Sequence, residues 1–225
     1  MLIPLLPERH HPLRASVLSA GTHLLDVKNQ HPILLKSRTP CRRMGMGCQY
    51  HHLKITDTAV EHLIKIGKRR IAHLAGPENL SISRRRLNGY YAALRKYEIP
   101  IDEELIISYD LTMEKVNIYM NHLLNLPNPP DALFAINDPT AIEAIQIIKE
   151  RGLKIPEDIA VVGFSNDQLS GLIEPSLTTV SQPVQKIGET AAEMLLHLIK
   201  TDIKDWKAIT KTLTTELIIR KSTVA

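Results

Sequence analysis

The sequence predicts an α/β fold, a doubly wound and mostly parallel sheet, over the part of the chain that begins near residue 55. Three observations predict it. From Asp57 onward, short apolar runs of strand length alternate with segments of helical period. Their junctions carry Gly, Pro, Asn or Asp, residues that stop one element and start the next. The connections are short, so strands joined through helices must cross over in the right-handed sense and lie parallel.

Over residues 57–66, Val60, Leu63, Ile64 and Ile66 recur at helical spacing, and Gly67, which readily takes the left-handed C-cap conformation, ends the helix. Ile71-Ala72-His73-Leu74-Ala75 reads as a buried strand closed by Gly76-Pro77. A helix from Ser83 to Tyr97 leads to a strand from Leu105 to Ser108, and a helix from Thr112 to Leu126 leads to the strand Ala132-Leu133-Phe134-Ala135-Ile136. Asp138 is placed to cap the next helix, with Pro139 at its first position. Ile142, Ile145 and Ile148 share a face of that helix until Gly152, and Ile159-Ala160-Val161-Val162-Gly163 is the next strand. A last helix from Val184 to Lys200 carries Ile187, Ala191, Leu195 and Leu198 at helical spacing, before a strand-like Leu213 to Ile219.

Residues 1–54 have a different character. They hold six of the ten histidines, both cysteines and five prolines, with no sustained period of two or 3.6. They are read as an irregular N-terminal segment, and residues 55–225 as the folded domain. Charge divides at the same place. Eight Lys and Arg against two acids give residues 1–54 a balance of +6, which leaves −2 of the total +4 for the rest. The regular part is mildly acidic, so its charge offers no argument for a polyanion partner.

No apolar run reaches the roughly 20 residues of a membrane-spanning helix. Met1-Leu2-Ile3-Pro4-Leu5-Leu6-Pro7 is apolar, but prolines interrupt it and no basic residue precedes it, unlike a secretory signal. A cytoplasmic location is expected, with Cys41 and Cys48 as thiols. Those cysteines with His51 and His52 match none of the common zinc spacings, and Gly45-Met46-Gly47 lacks the third glycine and flanking elements of a dinucleotide loop. There is no Gly-x-Ser-x-Gly elbow and no phosphate loop. His62, His73, His122 and His197 are isolated from any nucleophile or paired acid. The chain therefore reads as a non-enzyme without metal or cofactor.

In an open parallel sheet, ligands bind beyond the carboxyl ends of the strands. Gly76, Asn137-Asp138 and Ser165-Asn166-Asp167 all follow strands. For Asn137 and Asp138 the residues alone favour a bland role, turning the chain and capping a helix. Arg84-Arg85-Arg86 falls in the first turn of a predicted helix, where the dipole disfavours cations. Either one of them faces inward towards a ligand or all three are solvated or ion-paired.

Taken together and in order, several stretches within residues 57–221 resemble the second half of the sensor region of LacI/GalR transcription regulators, whose fold is similar to periplasmic sugar-binding proteins. These are Val60 to Ala72, Gly76-Pro77, Arg86-Leu87-Asn88-Gly89-Tyr90, Pro130 to Asp138, Ile155 to Phe164 and Pro175 to Pro183. The resemblance implies that Arg86 reaches the ligand, that Asn137 faces the same cleft while Asp138 caps its helix near it, and that Gln182 lies at the crossover between two lobes. Where this family usually places an Asp after the Val-Val-Gly-Phe strand, the chain has Ser165 followed by Asn166, neutral groups that make weaker hydrogen bonds than a carboxylate.

The resemblance further implies one lobe formed by residues 57–183 and 211–220, with the 184–200 helix belonging to the other lobe. The implied effector is a sugar or sugar derivative and the implied assembly a homodimer. Operator DNA is expected to be a partner only of a full-length form, because no helix-turn-helix or hinge helix is legible, and the chain is expected to be truncated. The runner-up reading is a solute-binding protein of the same fold that delivers a sugar to a transporter.

Overall fold

The computed structural model describes residues 56–200 and 209–224, apart from the side chain of Leu198, and the backbone of residues 16–18, 22–27, 31–36, 47–50 and 52–55. In chain order the elements are β1 (Ser16–Leu18), β2 (Thr22–Val27), β3 (His31–Lys36), β4 (Gly47–Tyr50), α1 (His52–Lys65), β5 (Ile71–Ala75), α2 (Ser81–Lys96) and β6 (Ile106–Ser108). They continue with α3 (Met113–Leu124), β7 (Ala132–Ala135), α4 (Asp138–Glu150), β8 (Ala160–Ser165), β9 (Thr178–Ser181), α5 (Val184–Lys200), β10 (Thr210–Leu213) and β11 (Glu216–Ile218). The chain divides into two compact units. The smaller takes in Met1–Gln49 and Gln185–Thr212, the larger Tyr50–Val184 and Leu213–Ala225.

In the smaller unit β1, β2 and β3 form an antiparallel meander, with Ser16 opposite Leu24 and Thr22 opposite Lys36, and β4 pairs with β10. The segment read as irregular thus contains four short strands, and α1 starts at His52 rather than Asp57. An antiparallel backbone ladder needs no alternation of polar and apolar residues, so it left no period-two signal.

The larger unit is built on a six-stranded sheet in the order β6-β5-β7-β8-β9-β11. The first five strands are parallel, and β11 runs antiparallel to β9 with Glu216 opposite Ser181. Both faces are covered, which is why β7 and most of β8 read as unbroken apolar runs and β5 as one interrupted at His73. On one face Val60 and Leu63 of α1 and Tyr90 and Ala93 of α2 pack against Phe134, Val162 and Phe164. On the other, Val116 and Met120 of α3 and Ala144 and Ile148 of α4 pack against Leu74, Leu133 and Val161. The fifth parallel strand, β9, is mostly threonine and serine, and for that reason composition did not single it out. Thr178 and Thr179 are nevertheless fully buried, with their hydroxyls donating to Arg220 O and to Asp138. Beyond β11 the chain ties the edge down: Ser222 Oγ donates to Val161 O (2.6 Å) and accepts from the Thr178 N–H (2.8 Å).

From β5 the chain crosses to β6 on one side and then returns to β7 on the other, so strand order reverses between β5 and β7. At such a switch point the helices diverge and open a crevice beyond the carboxyl ends of the two strands.

Two features of the α1–α2 face give measurable consequences. A Cβ at Gly89 would stand 2.6 Å from Thr56 Cβ and 2.9 Å from Asp57 Oδ1, so α2 can lie this close to α1 only without a side chain there. Alanine gains about 1 kcal/mol of helix propensity over glycine, whereas overpacking a filled contact costs about 1–3 kcal/mol. Gly89→Ala is therefore expected to lower stability in urea denaturation, although the same exchange on an exposed helix face would raise it.

His73 lies fully buried in β5, stacked between Tyr90 (ring centroids 5.3 Å apart) and Phe134 (4.8 Å), with Nδ1 2.9 Å from Phe134 O. Burial, with a smaller contribution from the Arg86 charge, pushes its pKa down to about 4. The unfolded chain binds this proton near pH 6.5 and the folded one near 4, so the contribution to stability is complete above 6.5 and is lost as pH falls towards 4. The loss amounts to about 3 kcal/mol at most. In His73→Phe, which keeps the stack without the titrating nitrogen, stability measured from pH 7 to 4 should fall less steeply than in the wild type.

Candidate functional site

Arg86 is positioned by α2. The helix begins without a side-chain cap, its N-cap Leu80 being extended, and Ser83, Arg86 and Tyr90 follow at the spacing that keeps them on one buried face. Arg84 is exposed and donates to Glu78 O (2.8 Å), so of the arginine run it is Arg86 that turns inward. Only 4% of it is exposed. Its Nη1 donates to Ile136 O, the carbonyl just past β7, and its guanidinium carbon lies 3.6 Å from the Phe164 ring centroid in β8. The aromatic face offsets part of the cost of burying the cation. The side chain thus reaches from α2 across the switch point to the ends of β7 and β8.

The Asn137-Asp138 pair corrects the sequence reading. Asn137, extended at φ −153° and ψ 170°, is the residue that caps α4, with Oδ1 accepting from the Thr140 N–H at 2.9 Å. Asp138 is not the cap. It is the first helical residue, fully buried, and its Oδ2 accepts from the Asp167 N–H (2.7 Å) and the Ser170 hydroxyl (2.6 Å) while Oδ1 accepts from the Thr179 hydroxyl (2.6 Å). A side chain at Gly163 would collide with Asp138 Oδ1 and stand 2.9 Å from Leu177 Cδ2. Asn137, just before the first helical residue, is short enough to reach the Thr140 N–H with its own side chain, and that leaves the following carboxylate to turn inward.

Ser165 ends β8 opposite Ser181. Both it (φ 130°) and Asn166 (φ 54°) have positive φ, which is unusual for a residue with a side chain and folds the chain back over β9. Asn166 N–H donates to Thr179 Oγ1 (3.3 Å), and its Oδ1 accepts from Arg220 Nη2 (2.8 Å). Gln182 follows β9, half-buried, with its carbonyl accepting from the Val184 N–H (2.8 Å). At the switch point Arg86 bonds the carbonyl of Ile136, the residue before Asn137. Ser165 and Asn166 lie one strand further, and Gln182 a strand beyond that.

Sequence reasoning missed Ser83, whose hydroxyl is buried and would lie 2.6 Å from a Cβ at Gly76. It also missed Arg220, which no local pattern marks. A cavity of about 250 Å³ lined by Arg70, Tyr90, Leu94, Ile99, Asp102 and Leu105 opens at the amino end of β5, away from Arg86, and its polar wall is the Arg70–Asp102 ion pair (2.5 Å). Among the described residues no three His, Cys, Asp or Glu gather as a metal site. No described helix is long and apolar enough to cross a membrane.

A doubly wound lobe with buried and half-buried polar groups along the carboxyl ends of its strands is a ligand-binding architecture. Residues 60–223 match the periplasmic binding protein-like domain, and the chain belongs to that family, with LacI-family regulators among its relatives. It is 40% identical over 167 residues to the transcriptional repressor CytR of Escherichia coli K12, covering 74% of this chain and 48% of that protein. With the probable repressor ExuR of Bacillus subtilis it shares 42% over 144 residues, 64% of this chain and 43% of that protein. The chain spans about half the length of the curated relatives it matches.

Among solved structures, a LacI-family regulatory protein of Chloroflexus aggregans superposes with a TM-score of 0.77 at 31% identity, over 84% of this chain and 67% of that one. The regulator CelR in complex with cellobiose gives 0.73 at 28%, over 84% and 58%. A LacI-family regulator of Enterococcus faecium with bound ribose gives 0.73 at 26%, over 86% and 70%.

Asp138 generates a prediction. Removing its carboxylate strands three donors, and each buried unsatisfied group costs about 1–3 kcal/mol. Asp138→Ala should lose at least about 3 kcal/mol in chemical denaturation, far more than an exposed helix-capping Asp, for which the loss is about 1 kcal/mol.

Proposed function

We propose that the larger unit is the effector-binding lobe of a LacI-type regulator's sensing region, and that its effector is a small, hydroxyl-rich molecule, a sugar or sugar derivative. The observation that carries this reading is Arg86: a buried guanidinium held against Phe164 and Ile136 O at the switch point. Its planar fork suits vicinal hydroxyls or a carboxylate. Asn137 Oδ1 is taken by its own helix, so Asn137 serves a ligand through its amide Nδ2. Ser165 and Gln182 extend the same edge. Relatives solved with cellobiose and ribose support the ligand class.

In this reading α5 belongs with a companion lobe, and ligand held between lobes favours the closed arrangement. Affinity for operator DNA changes only as far as the ligand distinguishes the two arrangements. DNA contact is assigned to a full-length form, in a cytoplasmic homodimer. No reaction is assigned to any residue.

Titration calorimetry of the 225-residue chain with mono- and disaccharides tests the reading. Arg86→Ala should weaken binding of the tightest ligand about 100-fold, the loss expected for two charge-assisted hydrogen bonds. Arg86→Lys, which keeps the charge without the fork, should fall between. A variant that melts as the wild type does and keeps full affinity would remove Arg86 from the site.

A further inference from the structure

The loop that turns over β9 is held in a conformation its own residues do not favour. Ser165 and Asn166 both have positive φ, and an L-residue keeps such a backbone only where surrounding bonds fix it. Two of those bonds act on the backbone: the Asn166 N–H donates to Thr179 Oγ1 (3.3 Å) and the Asp167 N–H to Asp138 Oδ2 (2.7 Å). A third acts on the Asn166 side chain, and its donor, Arg220, lies 54 residues further along the chain.

Arg220 stands just beyond β11 and is half-buried. Its backbone is locked to the first residue of β9, since its N–H donates to Thr178 Oγ1 (2.8 Å) and its carbonyl accepts from that hydroxyl (2.9 Å). The tail that follows is tied as well, by Ser222 to Val161 O and the Thr178 N–H. From this anchored base the guanidinium bridges two oxygens: Nη1 donates to Leu177 O (2.7 Å) and Nη2 to Asn166 Oδ1 (2.8 Å). A planar fork fixes the directions of both bonds together, so Asn166 is registered against the start of β9. A guanidinium has donors only, and the amide oxygen of Asn166 is therefore committed to it.

We propose that Arg220 is a positioning residue of the effector site. Through Asn166 it keeps the loop turned over β9, and thereby keeps Ser165 at the ligand-facing edge, without itself touching ligand. Asn166 is the link in this arrangement and not a ligand contact. The proposal rests on the reading of the lobe as effector-binding, and it makes the end of the chain part of that site's framework.

Solvent-exchange NMR of the free 225-residue chain tests the holding, and calorimetry with ribose, glucose and cellobiose tests its consequence. Losing one charge-assisted bond shifts the loop's opening equilibrium by about tenfold or more, so Arg220→Ala should speed exchange at the Asn166 and Asp167 N–H groups by about that factor. Apparent affinity falls with the fraction of chains whose loop is in place, and the tightest of the three sugars should bind about fivefold more weakly. Arg220→Lys, which can reach one of the two oxygens but cannot bridge both, should fall between. Lys221→Ala, which removes the neighbouring exposed ion pair with Glu174, should change neither readout. In an Asn166→Gly background, which removes the amide while still accepting positive φ, Arg220→Ala should have no further effect on affinity. The same loss in that background would show that Arg220 does not act through Asn166, and full affinity in a folded Arg220→Ala chain would reduce it to a brace of the edge strand; each result overturns the proposal. Binding by none of the three sugars counts against the effector-lobe reading, while exchange at Asn166 and Asp167 still decides whether Arg220 holds the loop.

Discussion

The carboxylate of Asp138 is the contact on which the ligand-facing edge of this protein depends. It joins the start of α4 to the loop after β8 and to the middle of β9, through the Asp167 N–H and the Ser170 and Thr179 hydroxyls. Burying an ion costs several kcal/mol after relaxation, and bonds to a charged acceptor return about 1.5–3 kcal/mol each. Three such bonds roughly offset the cost. What remains is geometry: the loop carrying Ser165 and Asn166 is held folded back, with positive φ at both residues. Gly163 is the matching concession in β8, since any larger residue would occupy the space of the carboxylate.

Arg86 sits against the neighbouring part of the same framework. Its cation is stabilised by the Phe164 face and the Ile136 carbonyl, groups fixed by β8 and β7. The imidazole of His73 lies in the aromatic layer on the same face of the sheet, kept neutral by burial, so the layer near Arg86 adds no second positive charge. One buried anion shapes the edge and one buried cation reaches it, and the two come from different helices on opposite faces of the sheet.

Much of the fold was legible in the sequence because buried parallel strands and amphipathic helices leave strong signals. Ile71 to Ala75 and Val184 to Lys200 have the bounds that periodicity predicts. β9 was obscured because its inward groups are threonines satisfied by hydroxyl bonds rather than by apolar packing. Arg86 was legible mainly through resemblance, since an arginine in a first turn reads as solvated unless its tertiary partners are known. The exchange of roles between Asn137 and Asp138 was beyond sequence reasoning: both side chains can cap, and only the donors brought in by Asp167, Ser170 and Thr179 decide which one turns inward. Ser83 and Arg220 matter through contacts with Gly76 and Asn166, which are seven and 54 residues away in the chain. No local pattern encodes such pairs.

The central claim is that ligand is held at the carboxyl edge of the sheet, at the β5–β7 switch point, by groups that Asp138 and Arg86 organise. A crystal structure of the chain with a bound mono- or disaccharide tests this most directly. The account predicts ligand oxygens within hydrogen-bonding distance of the Arg86 guanidinium and the Asn137 amide Nδ2, with the three bonds of Asp138 unchanged. Ligand seated instead in the cavity at the amino end of β5, between Tyr90 and Asp102, would contradict it.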